Sequence, residues 1–599
     1  MNYLIVVPRI INKTGDFYMF PQGLAYISAA LGKAGFNLFK LNLNHIETTV
    51  EEALRATIID NDIDVIMTGG LTGQYGAIQT IISEANRIKD DIINIIGGGI
   101  ITSSPEYAME AICNSQIGVI GEGELIIEEI CTTLEEGGDI SNVPGVIYYR
   151  DGELIRSQGK PTPVNVNSVP IPDYDGLGLD KLLESTPNII GMSDENTFPI
   201  ITSRGCPFSC TFCFHPSGMK YRQRDLDNVF EEIDLLREKY NIEYLSVQDE
   251  LFGFNMDRVR EFCERIKPYN MKWWAQFRVT QITEELVELL KGSNCAAIGL
   301  GIESADDRIL ESMNKKIKLE NIENALDLVY NAGLGIQGNL IFGDPEETIE
   351  SVRNSLDWWK RNSKYGLQLS LIVTYPGTGI FKYAVDKGLI TDPVQHIKDS
   401  CPTIKLSKMS DKEYTWMVEE ILSLQRASLT TPQKIESYQI DYNHANMDLD
   451  GYCNSCEEKN SWKEIRFFIS ESISCKRCGR RHYAPIPQEV ADGVKATVLK
   501  LIEKYGKIAF WGINSYFYNL SEKMNLKDCE SILYVDQSEI RAGVSIGNCK
   551  IRLTDTINSE NVRCVIVTVP QYFSNLKPMI ETSFNGVETV LNISDLLSD

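Results

Sequence analysis

The chain has too little positive charge for a nucleic-acid partner. Its 58 lysines and arginines face 83 aspartates and glutamates, a formal net charge of −25. A phosphate backbone needs a basic surface, and no basic stretch stands out to supply one. Long hydrophobic runs are missing too: no window holds the ~18 unbroken apolar residues of a membrane span. The opening residues, Met1 to Arg9, lack the basic region and small-residue cleavage site of a secretion signal and read as a first strand. No G-x-G-x-x-G follows that strand, which argues against a dinucleotide site there. What remains is ordinary globular composition, 43% apolar and 24% charged over 599 residues. That length suggests about three or four domains.

Cysteine is plentiful, at fifteen residues. Without a secretion signal, this points to a reducing cytoplasm and metal ligation, not a disulfide framework. Eight of the fifteen, such as Cys113, Cys131, Cys263 and Cys295, are scattered among apolar residues and read as buried hydrophobes. Three fall in Ser203-Arg-Gly-Cys206-Pro-Phe-Ser-Cys210-Thr-Phe-Cys213-Phe214, a C-x3-C-x2-C spacing. The apolar, β-branched run from Phe198 to Thr202 reads as a strand, so these cysteines occupy the loop past its C-terminal end, where α/β barrels place their chemistry. So tight a triplet cannot pair fully as disulfides. It can hold three irons of a [4Fe–4S] cluster, which normally takes four thiolates, leaving one iron open. A zinc knuckle completed by His215 is the alternative. The last four form Cys453-x2-Cys456-x18-Cys475-x2-Cys478, a zinc-ribbon spacing with an aromatic, β-rich filling at Trp462–Ile469. An auxiliary Fe–S cluster or a rubredoxin-like iron competes with zinc there.

The pattern divides the chain into six segments. Residues 1–155 alternate strand-like and helical runs, which implies a doubly wound parallel sheet. Its glycines cluster in the loops where such sheets bind ligands: Gly69-Gly70, Gly97-Gly98-Gly99 and Gly121-Glu122-Gly123-Glu124. Glycine lets the backbone approach a large flat ligand. Residues 156–195 are proline-marked and read as a stiff, extended connection. Residues 196–390 give a second series, six strands with five intervening helices, and 391–445 a helical extension whose 411–440 stretch looks helical. Residues 446–486 are the ribbon-like module, and 487–599 return to βα alternation. In that last segment Gly512 ends one strand and Asp536 ends the next, a Rossmann-like layout. Only that one glycine of the fingerprint is present, so ligand binding and a docking or substrate-presenting role both stay open.

The cysteine triplet, with an aromatic before its last cysteine, resembles the radical SAM superfamily. The resemblance implies that Cys206, Cys210 and Cys213 hold a [4Fe–4S] cluster whose open iron binds S-adenosylmethionine (SAM), with reductive cleavage giving a 5′-deoxyadenosyl radical. Further motifs agree. Gly299-Leu-Gly301-Ile-Glu303-Ser304 resembles the family's G-x-E-S motif and implies SAM contacts, above all from Glu303. Gly338 to Thr348 resembles G-x-P-G-E-T, with Glu346 where the family has glycine, and Thr374 to Thr378 matches the P-G-T that ends the core. Arg278 matches a common strand-end arginine. With Asp249 and Glu250, read as facing the mouth after the second strand, it forms the candidate catalytic set; solvated loop acids are the plainer reading of that pair. Six strands suit the partial (β/α)6 barrel of the family.

Four stretches in the N-terminal segment, Pro21–Leu31, Val65–Gly70, Ile96–Thr102 and Gly121–Glu124, resemble in order and spacing the cobalamin-binding domain that precedes many radical SAM cores. That likeness implies cobalamin against Gly69, Gly70, Thr72, Gly97, Gly98, Gly99, Gly121, Glu122 and Gly123. The D-x-H-x-x-G of histidine-ligated cobalamin proteins is absent, and His45 reads as a loop residue. Over roughly residues 1–390, then, the chain resembles a cobalamin-dependent radical SAM enzyme. For the family this implies methylation of an unactivated carbon of a small-molecule substrate, an electron donor such as flavodoxin or ferredoxin, and a cytoplasmic location. A radical cyclisation, ring contraction or oxidation shares the same motifs, and a non-catalytic cobalamin or redox sensor is the reading from another class. A methylthiotransferase suits it less, because the N-terminal segment has only Cys113 and Cys131.

Overall fold

The structure is a computed structural model that describes residues 1–11, 18–159, 161–185, 196–428, 434–454, 456–470, 472–477, 481–526 and 530–597. It divides into two compact units: Met1–Pro187 with Phe198–Phe254 and Val373–Pro402, and Asn188–Thr197 with Asn255–Ile372 and Thr403–Asp599.

The first unit is built on a seven-stranded sheet of β1 (Asn2–Val7), β2 (Asn37–Asn42), β3 (Val65–Gly69), β4 (Ile93–Gly97), β5 (Ile117–Val119), β6 (Val146–Arg150) and β7 (Glu153–Arg156), in the order β2-β1-β3-β4-β5-β6-β7. The first five strands pair in parallel, which makes the N-terminal α/β expectation right in kind. Central strands covered by helices on both faces read as continuous apolar runs; Leu4, Val6 and Ile66 are buried among Leu54, Ile58 and Ile81 from the covering helices. Helix Val50–Asp60 begins at a Thr49/Glu52 capping box, and helix Gln22–Ala34 ends at Gly35 with φ 88°. The sequence reading did not anticipate β6 and β7, an antiparallel hairpin turned by Asp151 and Gly152, both at positive φ. Asp-Gly between two strands is a strong hairpin signal, here hidden behind the βα alternation.

The stretch read as an extended connection is partly packed. Tyr174 lies edge-on to Phe198 and close to Phe20, and Leu177 and Leu179 are fully buried. The unit then adds β8 (Thr197–Ile200), β9 (Ser203–Arg204), β10 (Arg222–Gln223) and β11 (Tyr244–Val247), which neighbours β8. β9 and β10 form a two-residue antiparallel ladder, Ser203 opposite Gln223 and Arg204 opposite Arg222.

The second unit holds a run of parallel strands, β12 (Lys272–Phe277), β13 (Cys295–Glu303), β14 (Gly335–Phe342) and β15 (Gln368–Leu371), paired in sequence order. Helix Asp411–Ser428 follows, but the helical reading of 411–440 fails at its end. Lys434–Asp441 is a strand, β16, antiparallel to β17 (Asn446–Tyr452), which pairs with β18 (Lys459–Arg466). Its Lys-Ile-Glu-Ser-Tyr-Gln-Ile sequence favours an extended edge over further helical turns. β19 (Ser472–Ser474) and β20 (Arg481–Tyr483) form a short hairpin. The last segment, from β21 (Ile508–Trp511) through β22 (Ile532–Asp536), β23 (Ser545–Ile546), β24 (Cys549–Leu553) and β25 (Cys564–Val567) to β26 (Thr589–Asn592), forms a sheet of order β23-β24-β22-β21-β25-β26, parallel except for β23. That order reverses at β21, as in doubly wound folds. Of the scattered cysteines, Cys131, Cys263 and Cys295 are buried, Cys113 is exposed in the turn after its helix, and Cys549 is disulfide-bonded, a departure from the expectation of free thiols.

Candidate active site

The cysteine loop of the first unit is a hairpin loop between β9 and β10, and acids fix its neck. Asp249, just past the end of β11, is almost fully buried and accepts four hydrogen bonds. They come from the amides of Thr202 and Ser203 at 2.6 and 3.0 Å and from both hydroxyls at 2.6 Å. Burial still holds its carboxyl above the usual carboxylate range. Next to it, Glu250 accepts from the Gly205 amide at 3.2 Å and meets His215 Nδ1 at 2.8 Å, a contact that raises the imidazole's pKa. Gly205 has φ 82°, and a Cβ there would lie 2.4 Å from the Lys220 carbonyl oxygen, so only glycine closes this neck. Inside the loop Cys213 N donates to Cys210 O at 3.2 Å, and Ile380 N, past the P-G-T turn, donates to Thr211 O at 2.9 Å. Asp249 and Glu250 therefore both serve the loop. His215, weighed as a zinc ligand, is joined to Glu250.

The glycines of the N-terminal sheet meet in pairs above the ends of β3 and β4. A Cβ on Gly69 would lie 2.5 Å from Gly97 O, and one on Gly98, at φ 85°, would lie 2.8 Å from Gly70 O. Gly121, at φ 87°, and Gly73 face open space. Thr72 is buried, while Leu71 and Met19 are exposed although apolar. Bare backbone beside exposed apolar side chains suits a large, flat, largely apolar ligand such as a corrin ring. Phe214, the residue after the last cysteine of the triplet, reaches this region. A Cβ on Gly99 would lie 3.7 Å from its ring, and one on Gly377 would lie 2.7 Å from it. His45 is held elsewhere, its Nε2 2.7 Å from the Tyr18 hydroxyl, with burial lowering its pKa.

Glu122 and Glu124, expected at the cobalamin loop, face two arginines from the neck of the cysteine loop. Arg204 donates to Glu122 Oε1 at 2.9 Å and Glu124 Oε1 at 2.6 Å, and stacks over Tyr26 at 4.9 Å. Arg222 donates to both oxygens of Glu122, at 2.6 and 3.0 Å. Burial opposes charge on Glu122, but the bonds from Arg222 and Arg204 outweigh it and hold the carboxyl below its usual range. Neither arginine was singled out from the sequence; the position of Arg204, two residues before Cys206, was the available signal.

In the second unit β13 ends at Glu303, a non-glycine residue at φ 66°. Its carboxylate meets Lys315 Nζ at 2.7 Å, both side chains nearly buried. Arg278 donates to Lys315 O at 2.6 Å, so Arg278, Glu303 and Lys315 form one group. Lys315 carried no motif signal. A Cβ on Gly301 would lie 2.3 Å from Lys315 Nζ, and one on Gly299 would lie 2.6 Å from the Trp274 ring. Ser304 serves the fold, accepting from Asp306 N at 3.1 Å beside Ser355. Among the described residues, Cys453, Cys456 and Cys475 bring three sulfurs within 4.8 Å of one another. The sulfur of Cys475 accepts from Arg477 N at 3.4 Å and Asn460 Nδ2 at 3.6 Å. Cys478 lies outside the described residues.

Residues 8–131 match the B12 binding domain and residues 200–358 the radical SAM superfamily. An uncharacterized methyltransferase of Pyrococcus horikoshii is 29% identical over 438 residues, 69% of this chain and 92% of the relative. The anaerobic magnesium-protoporphyrin IX monomethyl ester cyclase of Rubrivivax gelatinosus is 24% identical over 382 residues, 62% of this chain and 67% of the relative. In fold, the chain is similar to the radical SAM methyltransferase TsrM of Kitasatospora setae, solved with tryptophan substrate and a SAM analogue, with a TM-score of 0.54 and 21% identity over 65% of this chain and 76% of that one. No helix among the described residues is long and apolar enough to cross a membrane. A match to the B12 binding domain followed by a match to the radical SAM superfamily is thus what this chain has in common with those relatives.

Proposed function

We propose that the protein is a cobalamin-dependent radical SAM methyltransferase that methylates an unactivated carbon of a small molecule, receiving electrons from a small donor protein in a reducing cytoplasm. The observation that carries this reading is the meeting, within one unit, of a three-cysteine loop and a glycine-lined crevice, with Phe214 between them. When bound, the cluster with SAM supplies a carbon-centred radical and cobalamin supplies the methyl group. The chain's own part is to hold and screen these groups. Cys206, Cys210 and Cys213 are the thiolates for the cluster. Asp249 and Glu250 keep their loop closed at its neck. The resemblance to a partial (β/α)6 barrel assigns SAM contacts to Glu303, which in its own unit meets Lys315, whose carbonyl takes Arg278. The crevice over Gly69, Gly70 and Gly97–Gly99 takes the corrin and excludes water from its face.

The test is anaerobic reconstitution with iron and sulfide, then reduction with SAM. Wild-type protein forms 5′-deoxyadenosine; Cys210→Ala loses most of the iron of this site and forms none. Full cleavage by that variant would sink the assignment. With a candidate substrate, a mass gain of one methylene marks methylation. A changed ring or oxidation level with no carbon added marks the cyclase-type reading, which the Rubrivivax relative favours. We also assign the Cys453, Cys456 and Cys475 cluster, completed by Cys478, to zinc. Three buried or half-buried thiols at this spread, with an amide donor on Cys475, suit a tetrahedral structural ion. The parallel sheet that follows is read as a Rossmann-like domain. Its Asp536 accepts from Ile513 N at 3.2 Å and Arg541 at 3.1 Å, so that acid already has partners.

A further inference from the structure

The neck of the cysteine loop is gripped from the N-terminal sheet by a nearly dry cluster of four charges. Arg204 and Arg222 face each other across the β9–β10 ladder, at the two points where the loop leaves and returns. Both bond to Glu122, and Arg204 also bonds to Glu124. Side-chain exposures are 12% for Arg204, 13% for Arg222, 11% for Glu122 and 7% for Glu124, so water does little of the neutralising. The two acids flank Gly123 at the start of helix Gly123–Glu135, in a glycine loop of the cobalamin-type crevice. Arg222 further donates to Val164 O and Ser217 O at 3.0 Å, which extends the grip to the segment after the sheet and into the cysteine loop. A planar guanidinium held by two carboxylate oxygens fixes direction as well as distance.

We infer that Arg204 and Arg222 are positioning residues that act through Glu122 and Glu124. They lock the cluster-bearing loop to the crevice and so set the separation between cluster and cobalamin. This rests on the function proposed above. Methyl transfer from SAM to cobalamin needs the two cofactors at one fixed spacing, since a misplacement of about 1 Å can cost roughly a hundredfold in rate. Reductive cleavage of SAM needs only the cluster and SAM. Loosening the clamp should therefore slow the first and spare the second.

The experiment compares wild type, Arg222→Gln and Arg222→Lys, each reconstituted with cluster and cobalamin. S-adenosylhomocysteine release reports methyl transfer out of SAM, and 5′-deoxyadenosine reports cleavage. Iron and cobalt contents and the cobalt–cluster distance by pulsed electron paramagnetic resonance are measured on the same samples. In Arg222→Gln, S-adenosylhomocysteine release should fall about tenfold or more, with cleavage within about twofold of wild type and a broadened distance distribution. Arg222→Lys, which keeps a charge on Glu122, should recover part of both. Unchanged product ratio and distance in Arg222→Gln would overturn the inference, as would a parallel fall of both products alongside lost iron and cobalt, since that is a merely structural role. Should Arg222→Gln not fold, Arg204→Lys is judged by the same product ratio and distance. A wild type that binds no cobalamin or cleaves no SAM would instead overturn the function itself.

Discussion

Glu232 is fully buried, bonds the hydroxyl of Tyr174, and pairs with Arg224 at 2.5 Å. Its removal takes the carboxylate from the buried Arg224 and leaves the neutral acceptors of Asn228 and Ile201, a change that typically costs several kcal/mol. Glu232→Ala should therefore destabilise the first unit by roughly 3–5 kcal/mol, read as a lowered urea midpoint. A variant within about 1 kcal/mol of wild type, the range of an exposed pair, would contradict this reading. Glu347 is the opposite case. It is buried with no cation beside it among the described residues, near Asp344 and Asp306, and burial raises its pKa to about 8. The folded form then keeps a proton that the unfolded form releases above about pH 4.5. Stability should fall as pH rises from there to about 8 and level off beyond it. Glu347→Gln can still accept from Gly343 N. It should flatten that slope and leave the variant more stable than wild type at alkaline pH, and equal melting curves in alkaline buffer would contradict the account. Glu347 was legible as part of a motif, but its protonation depends on which apolar groups surround it in space.

At the scale of elements, the β9–β10 ladder is only two residues long, yet it closes the loop of seventeen residues between Arg204 and Arg222. Its weak point is Gly205, where a Cβ meets backbone oxygens of Lys220 at 2.4 Å and Gly218 at 2.9 Å. Gly205→Ala forces that neck open and adds left-handed strain. Most of the cluster iron should be lost while the far-ultraviolet circular dichroism stays close to that of wild type. Retention of full iron content would show that the neck tolerates opening. The four-cysteine segment proposed as a ribbon is a second such element. Its small sheet needs a metal to be stable alone, so Cys475→Ser should release about one zinc per chain without changing the iron–sulfur spectrum. Protein that yields no zinc and extra iron would make the site an auxiliary cluster. The sequence carried this element through cysteine spacing alone. It misjudged β16, because polar-apolar alternation on an exposed edge gives no periodic signal strong enough to end the preceding helix.

For the whole molecule, the question is how cobalamin is held. The only histidine of the N-terminal sheet, His45, is hydrogen-bonded to Tyr18, and a Cβ at Gly178 would lie 2.6 Å from its ring, so it is packed in place. The described loop residues after β3, Gly70 to Gln74, offer no imidazole. Cobalamin should bind with its own base displaced and no histidine on its lower face. Without an imidazole from this chain, the cobalt of a bound cobalamin would be easier to reduce to the state that can accept a methyl group. The measurement is electron paramagnetic resonance of the Co(II) form in the full chain. Splitting from a single nitrogen that disappears in His45→Ala would overturn this account.

The cysteine spacings, the glycine-rich loops and the βα alternation are local in sequence, because metal ligation and backbone approach require particular residue types at short separations. These determined the expected class of cofactors, the parallel N-terminal sheet and the cysteines assigned to the two proposed metal sites. Partnerships between charges far apart in sequence were decided only by the tertiary structure. Glu122 meets Arg204 and Arg222 across separations of 82 and 100 residues, and Glu303 meets Lys315 across 12 residues, past the short helix Asp307–Ser312. An isolated glutamate reads the same whether it faces a ligand or an arginine. Which it does depends on the buried, low-dielectric neighbourhood that folding assembles around it, and no periodicity or spacing in the chain encodes that directly.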